Sequence, residues 1–137
     1  MFKRIMVPVD LAHQDTLDRA LTSAADLAKM YEATIIYVAV GTATPGSVAH
    51  NPAEFEKKVK AFAEQQSAMT GVPSEGHAMI SHDPSADLDP TLLKGIEETR
   101  ADLVVMASHI PNLTDYIWPS NGGTIASHAK VSVLVVR

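Results

Sequence analysis

The chain contains no cysteine. Disulfides, thiolate zinc sites and cysteine nucleophiles are excluded together, and that composition suits a cytoplasmic protein. No apolar run approaches the ~20 residues that a membrane-spanning helix needs. Positive charge is not in excess: 11 Lys and Arg stand against 16 Asp and Glu, a formal net charge of −5. Neither a nucleic acid nor a membrane is therefore expected as partner. A single site can still attract an anion through local backbone amides, whatever the net charge. No repeat of 20 to 50 residues and no low-complexity stretch is present.

What is there is an ordinary globular balance, with 137 residues, 46% hydrophobic and 20% charged. That length fits one domain over residues 1–137 with a core of useful size. Lys3 and Arg4 precede an apolar stretch as they would in a signal peptide, but Pro8 interrupts it and Asp10 ends it. It is too short for a signal core and lacks a small-residue cleavage site, so it reads as a buried strand.

Ile5 to Val9 is continuously apolar, as in a strand covered on both faces. Asp15 is placed to cap a helix in which Leu17, Ala20, Leu21, Ala24, Leu27, Ala28 and Tyr31 form one apolar stripe. Thr34 to Val40 is a second strand, and Gly41 to Pro52 reads as a loop. A helix is expected from about Ala53 to Met69, with Phe55, Val59, Phe62 and Met69 inward and Gly71 and Pro73 ending it. His77 to Ser81 is a weaker strand, and Asp83-Pro84-Ser85 leads into a helix carrying Leu88, Leu92 and Ile96. Leu103 to Ala107 is the fourth strand. A loop from Ser108 to Ser120 and a short helix from about Asn121 to Lys130 separate it from the fifth, Val131 to Val136. This alternation predicts an α/β fold: a doubly wound five-stranded parallel sheet with helices on both faces and right-handed crossovers.

Ligands of such sheets sit beyond the carboxyl ends of the strands, where the crossover direction reverses. Two segments point there. Pro8-Val9-Asp10 ends the first strand in a carboxylate. Ala107-Ser108-His109 ends the fourth and runs on through Pro119-Ser120-Asn121-Gly122-Gly123-Thr124, where a helix begins on small polar residues. A helix start offers unpaired N–H groups and the positive end of its dipole to a phosphate, although Ser120 or Asn121 could equally serve only as its N-cap.

The opening Ile5-Met6-Val7-Pro8-Val9-Asp10 resembles that of the universal stress proteins. So do Asp102 to His109 and, after the loop, His128 to Val136. The resemblance covers the whole chain in element order and is nearest to the F/G-like bacterial branch. Ala107-Ser108-His109-Ile110-Pro111, Asp115-Tyr116 and Ser120-Asn121 match short patterns of that branch. The resemblance implies the adenine nucleotide alpha hydrolase-like sheet, strand order 3-2-1-4-5, with an adenine nucleotide between strands 1 and 4. Asp10 would then bind the ribose hydroxyls. Pro8 and Val9 would flank adenine on one side and Val40 on the other. Ala107, Ser108, His109, Pro111, Ser120, Asn121 and Gly122 would surround the phosphates.

This chain departs from the family's Gly-x2-Gly-x9-Gly-[Ser/Thr] phosphate motif. Ala107 and Ile110 stand at the first two glycines, and Pro119 falls where the third would be. Proline has no N–H to donate, and a side chain at Ile110 bars close approach of backbone to phosphate.

Apart from His109, the histidines, His13, His50, His77, His82 and His128, are scattered without metal spacing. Neither a catalytic triad nor a carboxylate pair can be assembled. Tyr116 and Trp118, in the long loop, either stack on a base or pack on the protein. The leading expectation is a small stress-response regulator that binds ATP, with Mg²⁺, and has no catalytic residues. An alternative is a dimeric protein-interaction module without nucleotide. A third reading is a weak ATPase or autophosphorylating protein with Ser120 or Thr124 as acceptor. The apolar last strand lies at a sheet edge, and the resemblance implies that two such strands pair in a homodimer.

Overall fold

The computed structural model describes residues 1–108 and 121–137. Five strands, β1 (Arg4–Pro8), β2 (Thr34–Gly41), β3 (Ser74–Ile80), β4 (Leu103–Ala107) and β5 (Ser132–Val136), form one parallel sheet in the order β3-β2-β1-β4-β5. Four helices join them: α1 (Asp18–Tyr31), α2 (Pro52–Thr70), α3 (Pro84–Thr99) and α4 (Asn121–His128). This is the expected order and topology.

The inner strands read as unbroken apolar runs because both their faces are covered. Ile5, Val7, Ile35, Tyr37, Leu103 and Val105 belong to one core with Ala24 and Ala28 of α1 and Val59 and Phe62 of α2. Met6, Ile36, Val38, Val104 and Met106 belong to a second core, with Leu88, Leu92 and Ile96 of α3 and Ile125 of α4. The two-residue period of the strand sorts alternate residues between the layers.

Local chemistry sets the helix ends. Asn51 accepts a hydrogen bond from the Glu54 amide at 2.8 Å, Pro52 follows it, and Gly71 closes α2 at φ 74°. Those are the residue types that each position favours. Three expectations need correction. Asp15 lies in a separate 3₁₀ turn (Gln14–Thr16), so α1 starts at Asp18 after Leu17, which offers no side-chain cap. Met69 is 71% exposed, because α2 turns that side to solvent in its last turn. β3 begins at Ser74 and ends at Ile80, earlier than its apolar residues suggested. Its ladder runs beside β2 from Ile35–Ser74 to Gly41–Ile80, and backbone pairing there overrides a polar sequence.

The sheet parts where the crossover direction reverses. β1 pairs with β2 through five residues, Arg4–Thr34 to Pro8–Val38, but with β4 only at Ile5–Leu103 and Met6–Val104. Val9 donates its N–H to the Val38 carbonyl at 2.8 Å, on the β2 side. Successive N–H groups alternate sides along a strand, so the N–H missing at Pro8 would have faced β4. A proline at that position leaves β1 joined to β2 and releases it from β4.

Candidate functional site

Asp10 sits just beyond the end of β1 and is only 7% exposed. Its Oδ1 accepts the Ala12 N–H at 3.0 Å, and its Oδ2 lies 2.9 Å from His13 Nδ1. The Asp10 carbonyl accepts the His13 N–H at 3.0 Å, closing the turn. A carboxylate only accepts, so the His13 ring carries its proton on Nδ1. The two carboxylate oxygens offer about four acceptor sites, so one remains open on each.

Asp10 and Val9 line a crevice of ≈ 140 Å³ together with Val40, Gly41 and the segment after β2. The expected adenine–ribose wall of Val9, Asp10 and Val40 is thus brought together. Pro8 is buried at the end of β1 beside it. The segment after β2, expected as a loop, contributes as well: Thr42, Thr44, Gly46, Ser47, Val48 and Ala49 line the crevice. Val48 and Ala49 pack against the core, the Gly46 N–H donates to the Ala49 carbonyl at 2.9 Å, and Lys58 Nζ donates to the Val48 carbonyl. These contacts hold the segment as a strap across the carboxyl ends of β1 and β2. Glycine and proline content signalled a loop, but nothing local signalled where it lies.

A larger hollow of ≈ 500 Å³ lies behind the strap, against α2, and shares Leu11, Ala12, Ser47 and Val48 with the crevice. It contains no carboxylate and no strand end, so the smaller crevice is the candidate site.

Ala107 ends β4, and both it and Ser108 are half-buried. The Ser108 N–H donates to the Val136 carbonyl at 2.7 Å and so extends the ladder to β5. That amide is committed to the sheet. Asn121 and Gly122 form the first turn of α4, as expected. His109, Pro111 and Ser120 lie outside the described residues, as do Ile110, Pro119, Tyr116 and Trp118. Among the described residues no group of three His, Asp or Glu side chains could hold a metal ion, and no helix is long and apolar enough to cross a membrane.

An open parallel sheet that parts between β1 and β4, with a buried carboxylate just beyond β1, is a doubly wound α/β fold. The sequence pattern of the universal stress protein family matches residues 1–137, and the chain belongs to that family. It is 32% identical over 153 residues to "Universal stress protein G" of Salmonella typhimurium, covering 100% of both, which puts it in the F/G-like branch. A universal stress protein from Archaeoglobus fulgidus superposes with a TM-score of 0.71 at 19% identity, over 100% of both chains. A universal stress protein solved in complex with cAMP superposes at 0.70 with 17% identity, over 99% of this chain and 97% of that one. At those identities the likeness is one of fold.

Proposed function

We propose that this protein is a one-domain, cytoplasmic stress-response regulator that binds an adenine nucleotide, ATP with Mg²⁺, between the carboxyl ends of β1 and β4. The observation that carries the proposal is the buried Asp10 carboxylate just beyond β1, which lines the crevice beneath the strap on the β2 side and follows the point where β1 parts from β4. A carboxylate kept from water at a strand end stands ready for a hydroxyl pair of a sugar. The cAMP complex of a protein with the same fold supports an adenine nucleotide as the occupant. In this reading Pro8, Val9 and Val40 hold the base, and Ser108, His109, Pro111, Ser120, Asn121 and Gly122 lie around the phosphates. Ser108 would act through its side chain, since its amide serves the sheet. In this reading the activity is binding rather than turnover.

Two copies would join through β5. Leu134 and Val135 are 39% and 36% exposed on this edge strand, and an apolar open edge favours strand pairing. The second reading, a dimeric interaction module without nucleotide, is favoured by the replacement of all three motif glycines by Ala107, Ile110 and Pro119.

The discriminating experiment has two parts. Denaturing freshly purified protein and chromatographing the supernatant should release adenine nucleotide. ATP should also raise the melting temperature, and Asp10→Ala should abolish the rise. An empty supernatant with no ATP-dependent rise would leave the interaction module as the better account.

A further inference from the structure

We infer that His13 is a positioning residue for nucleotide binding, one that fixes the Asp10 carboxylate so that one lone pair on each oxygen faces the sugar. The inference rests on the nucleotide reading above and concerns the same site.

Three observations carry it. First, the two oxygens of Asp10 are held from different directions: Oδ1 by the Ala12 amide at 3.0 Å and Oδ2 by His13 Nδ1 at 2.9 Å. Rotation about the Cβ–Cγ bond would break both contacts, so the carboxylate plane is set before any ligand arrives. Second, His13 is itself anchored. Its N–H donates to the Asp10 carbonyl, and its own carbonyl accepts the Thr16 hydroxyl at 2.8 Å and the Thr16 amide at 3.2 Å. Third, the carboxylate is buried and the imidazole partly so, with side-chain exposures of 5% and 27%. A hydrogen bond shielded from water is stronger than its exposed counterpart.

The consequence is selectivity for a sugar that carries a vicinal pair of hydroxyls. The open acceptor sites, one on each oxygen, match two hydroxyl donors on adjacent carbons. Without the imidazole the carboxylate turns about the Ala12 contact, and pre-organisation is lost. His13 then contributes to ribose recognition while touching no part of the nucleotide.

The test measures binding of ATP and of 2′,3′-dideoxy-ATP, which lacks both hydroxyls, by isothermal titration calorimetry. The proteins are the wild type, His13→Ala, His13→Asn and His13→Gln, with far-UV circular dichroism and melting temperature checking each fold. The asparagine amide nitrogen falls near the place of Nδ1, whereas that of glutamine falls near Nε2. Wild type should prefer ATP. His13→Ala should weaken ATP about tenfold, the loss of one hydrogen bond to a charged group, and leave dideoxy-ATP unchanged. His13→Asn should restore ATP binding and His13→Gln should not. If the alanine variant fails to fold, the asparagine and glutamine pair carries the same comparison.

Equal loss of both nucleotides, or no loss of ATP, overturns the inference. A wild type that binds ATP and dideoxy-ATP alike overturns it while the nucleotide reading stands. A wild type that binds neither overturns both.

Discussion

Gly76 of β3 lies against the main chain of Val59 in α2 so closely that a methyl group on its Cα would stand 2.7 Å from the Val59 carbonyl oxygen. The next nearest atom, Lys60 Cα at 2.9 Å, is also backbone, so no side chain can swing aside. Gly76→Ala should push α2 off the sheet and cost about 1–3 kcal/mol of stability, the usual price of overpacking. Urea unfolding monitored by circular dichroism measures it. An unchanged midpoint would mean that α2 slides freely.

Tyr37 is fully buried, with its ring edge-on to Phe62 at 5.2 Å, and its hydroxyl has no hydrogen-bond partner among the described residues. Burial pushes the phenol up to about 12, and the neighbouring Ser74 Oγ gives its proton to the Val72 carbonyl at 3.0 Å. The folded state therefore holds the phenolic proton more tightly than the unfolded chain does. That stabilisation is complete below the ordinary value of 10.0 and is lost as pH rises towards about 12. Tyr37→Phe should gain about 1 kcal/mol at neutral pH, because an unsatisfied hydroxyl leaves the core. It should also lose the alkaline slope that the wild type shows.

Asp89 of α3 presents a buried Oδ1 with no partner among the described residues. Burial raises its carboxyl above the ordinary range, and the charge of His128 opposes that in part. Its folded-state preference is thus for the protonated form. The stability that form confers is full below the ordinary 3.8 and is lost as pH rises through the raised value. Asp89→Asn should raise the melting temperature at neutral pH, and the gap over the wild type should close in acid. A lower melting temperature at neutral pH would show that the charge is needed.

Lys58 ties the strap to α2 through the Val48 carbonyl. It also lies 3.5 Å from Glu54, whose carboxyl is lowered first by the His50 amide and also by Lys58. Lys58→Met keeps the aliphatic stem and removes the donor. Nucleotide affinity should fall about threefold to tenfold as the strap loosens, since one net hydrogen bond is worth about 1 kcal/mol. Melting temperature without nucleotide should change little, because an exposed tie of this kind contributes little to global stability.

Leu134, at the open edge of the sheet, tests the proposed dimer. Leu134→Lys places a charge on that edge, which opposes strand pairing. Light scattering after size exclusion should give a dimeric mass for the wild type and a monomeric one for the variant. A monomeric wild type at micromolar concentration would refute pairing through β5.

Much of the fold was legible because burial on both faces of a parallel sheet writes itself as unbroken apolar runs such as Ile5 to Val9 and Leu103 to Ala107. The apolar stripe of α1 and the Asn51-Pro52 and Gly71 ends of α2 are equally local signals. Where a local signal was read too literally, it misled. Asp15 looked like a cap but sits in a separate turn, and Ser74 to Gly76 looked unlike a strand. Met69 followed the apolar period yet faces solvent in the last turn of α2.

The site divides the same way. A carboxylate ending an apolar strand marked Pro8-Val9-Asp10 in the sequence, and the family resemblance added Val40. Residues at the ends of neighbouring strands share a cleft once strand order is known, and the order 3-2-1-4-5 came from the family resemblance, not from the alternation of elements. Only the tertiary structure could say that His13 turns back on Asp10, that Val48 and Ala49 close over the crevice, or that the Ser108 amide belongs to β5. Each of those depends on where a turn or loop is held in space, by contacts such as the one from Lys58 that composition and periodicity do not encode. The sequence by itself determined the parallel sheet and the carboxylate at the end of its first strand. Packing across long sequence separations decided what lines the crevice beside it.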